Sequence, residues 1–271
     1  MRIYISADIE GVAGVVTGAH TSPSGFEYER ARAWMTAEVA AACEASLKAG
    51  ASEIVVSDSH GSGENLLLER LPDQVQVVRS WPRPLSMMQG LETNPFAAAL
   101  LLGYHSGAHH QNGIMAHTIT GGIMALRLNG MAASETVLSA AIAGHYGVPV
   151  ALATGDDAYC THAREVLAGV ETAEVKWAHG SLAARTMKPS LACALIAEKT
   201  TAALAGLAAL KPFVLDPPIT IEVTLQDRLQ AELLDYLPDV ERTGATSVRH
   251  VARDMVAASK FLEFITTYKA H

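Results

Sequence analysis

The chain has 271 residues, with 28 acidic against 20 basic side chains and a formal net charge of −8. Phosphate recognition needs clustered Lys and Arg, and no basic stripe is present, which argues against a nucleic-acid partner. A content of 49% hydrophobic and 18% charged residues excludes a disordered chain and fits a globule with a large core, built as one large domain or two modest ones.

The longest apolar stretches, such as Phe96–Gly103 and Ala202–Leu210, fall well short of the roughly 18 to 20 residues that span a bilayer. Asp8 and Glu10 interrupt the first apolar run, which a secretory signal does not tolerate, so the expected location is the cytoplasm. Cys43, Cys160 and Cys193 are widely spaced and odd in number, and they read as reduced core thiols. Cys43 shares a helical stripe with Met35, Val39 and Leu47.

In chain order, Arg2–Asp8 reads as a strand, Gly11–Gly25 as a long loop, and Tyr28–Ala49 as a helix closed by Gly50. Strands are expected at Glu53–His60, Val75–Arg79 and Ala97–His105, and an edge or hairpin piece at Leu126–Met131. A helix follows over Glu135–Tyr146, then a buried strand at Pro149–Gly155 and a helix from Asp157 to Leu167, whose first acids suit its positive end. Beyond this come a strand at Glu171–Ala178, an Ala-rich helix over Pro189–Leu210 and a break at Pro212, Pro217 and Pro218. Ile219–Leu225 alternates strictly, with Ser247–Val251 as its candidate partner, and Val256–Tyr268 closes as a helix. Short apolar runs alternating with helical patterns predict an α/β fold, a mainly parallel sheet flanked by helices. The change of pattern suggests a metal-binding lobe over residues 1–150 and a second, smaller α/β lobe over 151–271.

Chemistry-bearing residues gather at strand ends. Asp8 and Glu10 close the first strand, and residues two apart on a strand share a face, so the two carboxylates become neighbours. Neighbouring carboxylates repel unless a proton or cation separates them; the plainer reading makes Asp8 a loop cap and Glu10 a solvated acid. His60 and His105 end two further strands, and in an open parallel sheet ligands sit outside the carboxyl ends of the strands. Glu135 opens a helix, where an acid needs no function, yet it can supply a further carboxylate ligand. The set Asp8, Glu10, His60, His105 and Glu135 suits Zn²⁺, or Mn²⁺ or Co²⁺ in its place. It is too large for one catalytic zinc and sufficient for two if one carboxylate bridges, with Asp8 as the chosen bridge. Asp58 reads first as a turn cap and second as a residue orienting His60. His117 by spacing alone is a loop histidine, and His109 and His110 read as solvated.

Ser6–Gly11 (Ser-x-Asp-x-Glu-Gly), Tyr28–Arg30, Asp58–His60, Leu102–His105, Gly155–Asp157 and the Thr-Gly-x-Thr stretch at Thr243–Thr246 together resemble the D-aminopeptidases, zinc peptidases often linked to dipeptide transport. The resemblance covers nearly the whole chain. It implies two zinc ions per subunit held by Asp8, Glu10, His60, His105 and Glu135, and a catalytic role for His117. It also implies a ring-stacked homodecamer and cleavage of short peptides with an N-terminal D-residue, D-alanine in particular. Ser134 departs from the family pattern, where Gly is expected. Two rival readings remain: another binuclear metal-dependent hydrolase, either an amidohydrolase or a phosphoesterase, and a non-catalytic ligand-binding protein. Phosphoester substrates call for Arg or Lys near the metals, and the loops directly after Asp8, His60 and His105 contain neither.

Overall fold

The computed structural model describes residues 1–93 and 95–268. Its elements in chain order are β1 (Arg2–Ala7), α1 (Gly18–Thr21), α2 (Tyr28–Lys48), β2 (Glu53–Asp58), β3 (Val75–Val78), β4 (Ala98–Leu102), β5 (Ile123–Leu128) and β6 (Met131–Ala132). There follow α3 (Glu135–His145), β7 (Val150–Asp156), α4 (Asp157–Val166), β8 (Glu171–Gly180), β9 (Ala183–Thr186) and α5 (Pro189–Ala205). The chain ends with β10 (Ile219–Leu225), α6 (Arg228–Leu234), β11 (Val240–Arg242), β12 (Ser247–Ala252) and α7 (Met255–Thr267).

Seven strands form one sheet in the order β3-β2-β1-β4-β7-β8-β9. All pair in parallel except the β8–β9 edge. Strand alternation decides what each face buries: Ile3 and Ile5 pack with Met35, Val39 and Cys43 of α2 and Ala192 and Ile196 of α5. Tyr4 and Leu101 face the other way, into a core shared with α3, α4, α7 and the inner side of a second sheet.

That second sheet is antiparallel, in the order β11-β12-β10-β5-β6. Ile219, Ile221, Val223 and Leu225 point inward and alternate with partly exposed residues, as their spacing predicts. Asn129 and Gly130, both at positive φ, make the tight turn between β5 and β6.

The α/β class and the mainly parallel sheet match the expectation, but a division at residue 150 does not follow the sheets. Residue 150 begins β7, which lies inside the parallel sheet, whereas β5 and β6 belong to the antiparallel one. Residues 269–271 of the expected second lobe lie outside the described residues. No described helix is long and apolar enough to cross a membrane.

Candidate metal centre

In the parallel sheet, strand order reverses between β1 and β4: β2 and β3 extend to one side, β4 and β7 to the other. The connections leaving the two central strands must diverge there and leave a crevice. The chain crosses itself tightly at this point, with Gly11 N–H donating to the Gly103 carbonyl (2.7 Å) and Asp8 N–H to the Leu102 carbonyl (2.8 Å). A Cβ on Gly11 would lie 2.0 Å from the Tyr104 carbonyl oxygen, so only glycine lets the two connections pass.

β1 ends at Ala7, so Asp8 and Glu10 sit on the turn after the strand and not on the strand itself. The alternation argument therefore does not apply to them; the turn brings both carboxylates to one histidine instead. His60 Nδ1 lies 3.3 Å from Asp8 Oδ1 and 2.9 Å from Glu10 Oε2. His105 Nε2 lies 3.4 Å from both Asp8 Oδ2 and Glu135 Oε1. His117 Nε2 is 3.8 Å from Glu135 Oε1, and its ring stacks on His105 with centroids 4.1 Å apart. All six expected residues thus converge. Asp58 does not join them: its carboxylate accepts from Asn65 and Leu66 N–H and from the Asn65 amide, which makes it the loop cap of its first reading.

The second nitrogen of each imidazole is tied to a carbonyl, which can only accept. His60 Nε2–H donates to Thr21 O (2.9 Å), His105 Nδ1–H to Ser106 O (3.0 Å) and His117 Nδ1–H to Met115 O (2.9 Å). Each of these contacts fixes a tautomer and aims the other nitrogen at the carboxylates, the second-contact arrangement of metal-ligating histidines. Asp8 Oδ2, Glu10 Oε2 and His105 Nε2 are buried without a hydrogen-bond partner. Orphaned acceptors facing one another are costly unless positive charge lies among them. Ring nitrogens and carboxylate oxygens of Asp8, Glu10 and His105, and again of His105, His117 and Glu135, fall within 4.8 Å of one another. The donors therefore fit a divalent cation of the zinc type, with mixed carboxylate and imidazole ligands.

Without a cation, protons fill the gap. Burial and the neighbouring Glu10 push Asp8 up to about 8. Burial opposes charge on His105, but Glu135, Asp8 and Glu10 outweigh it and push the ring up to about 10. Burial also opposes ionisation of Glu10, yet His60 beside it holds that carboxyl well below the usual range.

The centre opens into a cleft of about 330 Å³ whose walls include Trp81, Met87, Ile119, Thr120, Glu263, Thr266 and Thr267. No Arg or Lys is among the described residues lining it. His117 is the accessible imidazole, with 29% of its side chain exposed against 1% for His105. Glu135 is the first residue of α3, capped by Ser134 through Val137 N–H, and accepts from Ile119 N–H at 2.6 Å.

Sequence reasoning missed Trp81, Glu263 and Lys176. Lys176 is fully buried and donates to the carbonyls of Glu10, Val12 and Val15. A bulge in the β7–β8 pairing, between Gly155–Glu174 and Asp156–Lys176, breaks the alternation and turns Lys176 inward. The signal available was a lysine in an otherwise alternating strand, and its spacing pointed outward.

A mainly parallel sheet with carboxylates and imidazoles gathered at its switch point defines an α/β protein with a candidate metal centre. The sequence profile of the peptidase M55 family, D-aminopeptidase, matches residues 1–264, and the chain belongs to that family. It is 32% identical over 267 residues to a D-aminopeptidase of Bacillus subtilis (strain 168), a match that covers 98% of this chain and 97% of that one. Its fold superposes with a TM-score of 0.94 on the solved "Zn-dependent D-aminopeptidase DppA from Bacillus subtilis, a self-compartmentalizing protease", at 32% identity and with the same coverage.

Proposed function

We propose that the chain is a zinc-dependent aminopeptidase that removes an N-terminal D-residue, D-alanine in particular, from short peptides in the cytoplasm. The observation that carries this reading is the convergence of Asp8, Glu10, His60, His105, His117 and Glu135 around three buried atoms that lack partners. Asp8, Glu10, His60, His105 and Glu135 would hold two ions. Asp8 would be shared between them, since one of its oxygens faces His60 and the other faces His105. Zinc bound there supplies the positive charge that acidifies water and polarises the scissile carbonyl.

The chain's own groups do the rest. His117 Nε2, presented to the cleft by the Met115 carbonyl, is placed to take a proton from the attacking water and pass it to the departing amine. Trp81 contributes an aromatic wall to the cleft against which an apolar part of a peptide can pack. A cleft wall without Arg or Lys favours a peptide over a phosphodiester. Assembly into a homodecamer is part of the same reading, and the relative described as self-compartmentalizing supports it.

His117→Ala should keep the zinc content and lower kcat on a D-alanyl dipeptide by about 10²- to 10⁴-fold. His60→Ala should lose metal. Metal analysis and steady-state kinetics check both, and full activity in either variant would remove that residue from the mechanism. Comparing D-alanyl with L-alanyl dipeptides and with a chromogenic phosphodiester separates the peptidase from its rivals.

A further inference from the structure

Three histidines lie together outside this centre. His109 and His110 sit in the connection between β4 and β5, and His162 is on α4, where it is 6% exposed. Ring centroids are 4.4 Å apart for His109 and His110, 4.3 Å for His110 and His162, and 5.8 Å for His109 and His162. A ring nitrogen from each falls within 4.8 Å of the other two. His110 Nε2 is sequestered with no hydrogen-bond partner, so His110 is not the solvated residue its place in the sequence suggested; His109 is exposed, as expected.

The geometry points to a second, separate metal site, formed by His109, His110 and His162, for a borderline divalent cation such as Zn²⁺, Ni²⁺ or Cu²⁺. Three imidazoles are the ligand type these ions prefer over Mg²⁺ or Ca²⁺, and three protein ligands leave a position open. Burial disfavours charge on all three rings and so favours the neutral form that binds metal. Glu165 lines a pocket together with His110 and His162, so the site carries a negative charge nearby.

His162 Nε2 lies 3.1 Å from Ser134 Oγ, which caps α3 immediately before Glu135. A cation here would pin the connection carrying His105 and His117 to α4 and to the start of α3. Ser134 thereby contacts this cluster directly.

The test compares the wild-type chain with His109→Gln/His110→Gln, which alters a loop and leaves buried His162 in place; circular dichroism verifies the fold. Both proteins are stripped with chelator, incubated with Zn²⁺, dialysed and weighed by native mass spectrometry. The expected result is one ion fewer per chain in the variant. Equal metal content would overturn the site. In a second arm, Asp8→Asn/Glu10→Gln, which disables the first centre, is titrated with Cu²⁺. It should bind one equivalent, with nitrogen hyperfine splitting in its electron paramagnetic resonance spectrum, and His110→Gln added to that protein should weaken binding at least tenfold. A spectrum with oxygen donors only, or unchanged affinity, refutes the site while leaving the peptidase reading untouched.

Discussion

Lys176 buries an ammonium whose hydrogen bonds go to backbone carbonyls alone, and these carbonyls shape the turn that carries Glu10. Lys176→Met should therefore cost about 2 to 5 kcal/mol in urea denaturation, because the Glu10 and Val15 carbonyls lose a buried charged donor. It should also weaken zinc retention, since Glu10 is no longer held. Glu38 lies beneath the same turn, with Oε1 accepting from Ala13 N–H at 3.0 Å and Oε2 without a partner. Burial raises its carboxyl from 4.5 to about 7. The folded chain keeps this proton where the unfolded chain releases it, so the group subtracts stability as pH rises from about 4.5 through about 7. Glu38→Gln removes that dependence. The stability difference between variant and wild type should widen over the window by at most about 1.4 kcal/mol per pH unit, and chemical denaturation at several pH values checks it. Asp8, Glu10, His60 and His105 were legible because they stand where strands end, whereas Glu135 opens a helix and His117 stood out only through the resemblance. Lys176 and Glu38 were not, because what matters is their burial under a loop.

The centre depends on two connections crossing with almost no space between them. Gly103 adopts the left-handed region at φ +66, and a Cβ there would sit 2.3 Å from the Asp8 carbonyl oxygen. Gly11→Ala, whose Cβ meets backbone on the facing connection, should destabilise the fold by about 3 kcal/mol and release metal; a melting curve and a zinc assay report both. An unchanged melting temperature would show that the crossing yields more easily than its spacing implies. The long, periodic elements were readable in advance, β1, α2, β10 and α7 within a residue or so. The Ala-rich helix stops at Ala205, with Gly206 as its cap, and not at Leu210, because the apolar run continues past the glycine and masks its stop signal. The short pieces α1, β9, α6 and β11 were not readable, since too few residues stand in each to show a period and their stability comes from packing. Local pattern also does not reveal sheet membership, which is why β5 and β6 were not assigned with β10.

At the scale of the whole molecule, several large apolar side chains are open to solvent in the single chain, among them Phe26 (86% exposed), Tyr236 (71%) and Leu191 (62%). Subunit packing is the usual fate of such groups when they cluster. Light scattering should find a particle of ten 28.6-kDa chains, and a stable monomer would overturn the decamer. α7 gives the centre more than support. Every ligand-type side chain of the first centre precedes Thr136, whereas Glu263, Thr266 and Thr267 belong to the last helix. During synthesis on the ribosome the carboxylates and imidazoles proposed to hold an ion emerge early, and the wall that α7 adds to their cleft emerges later. The pocket thus becomes whole only after α7 has left the exit tunnel and docked, and a nascent chain has no finished place to hold a substrate.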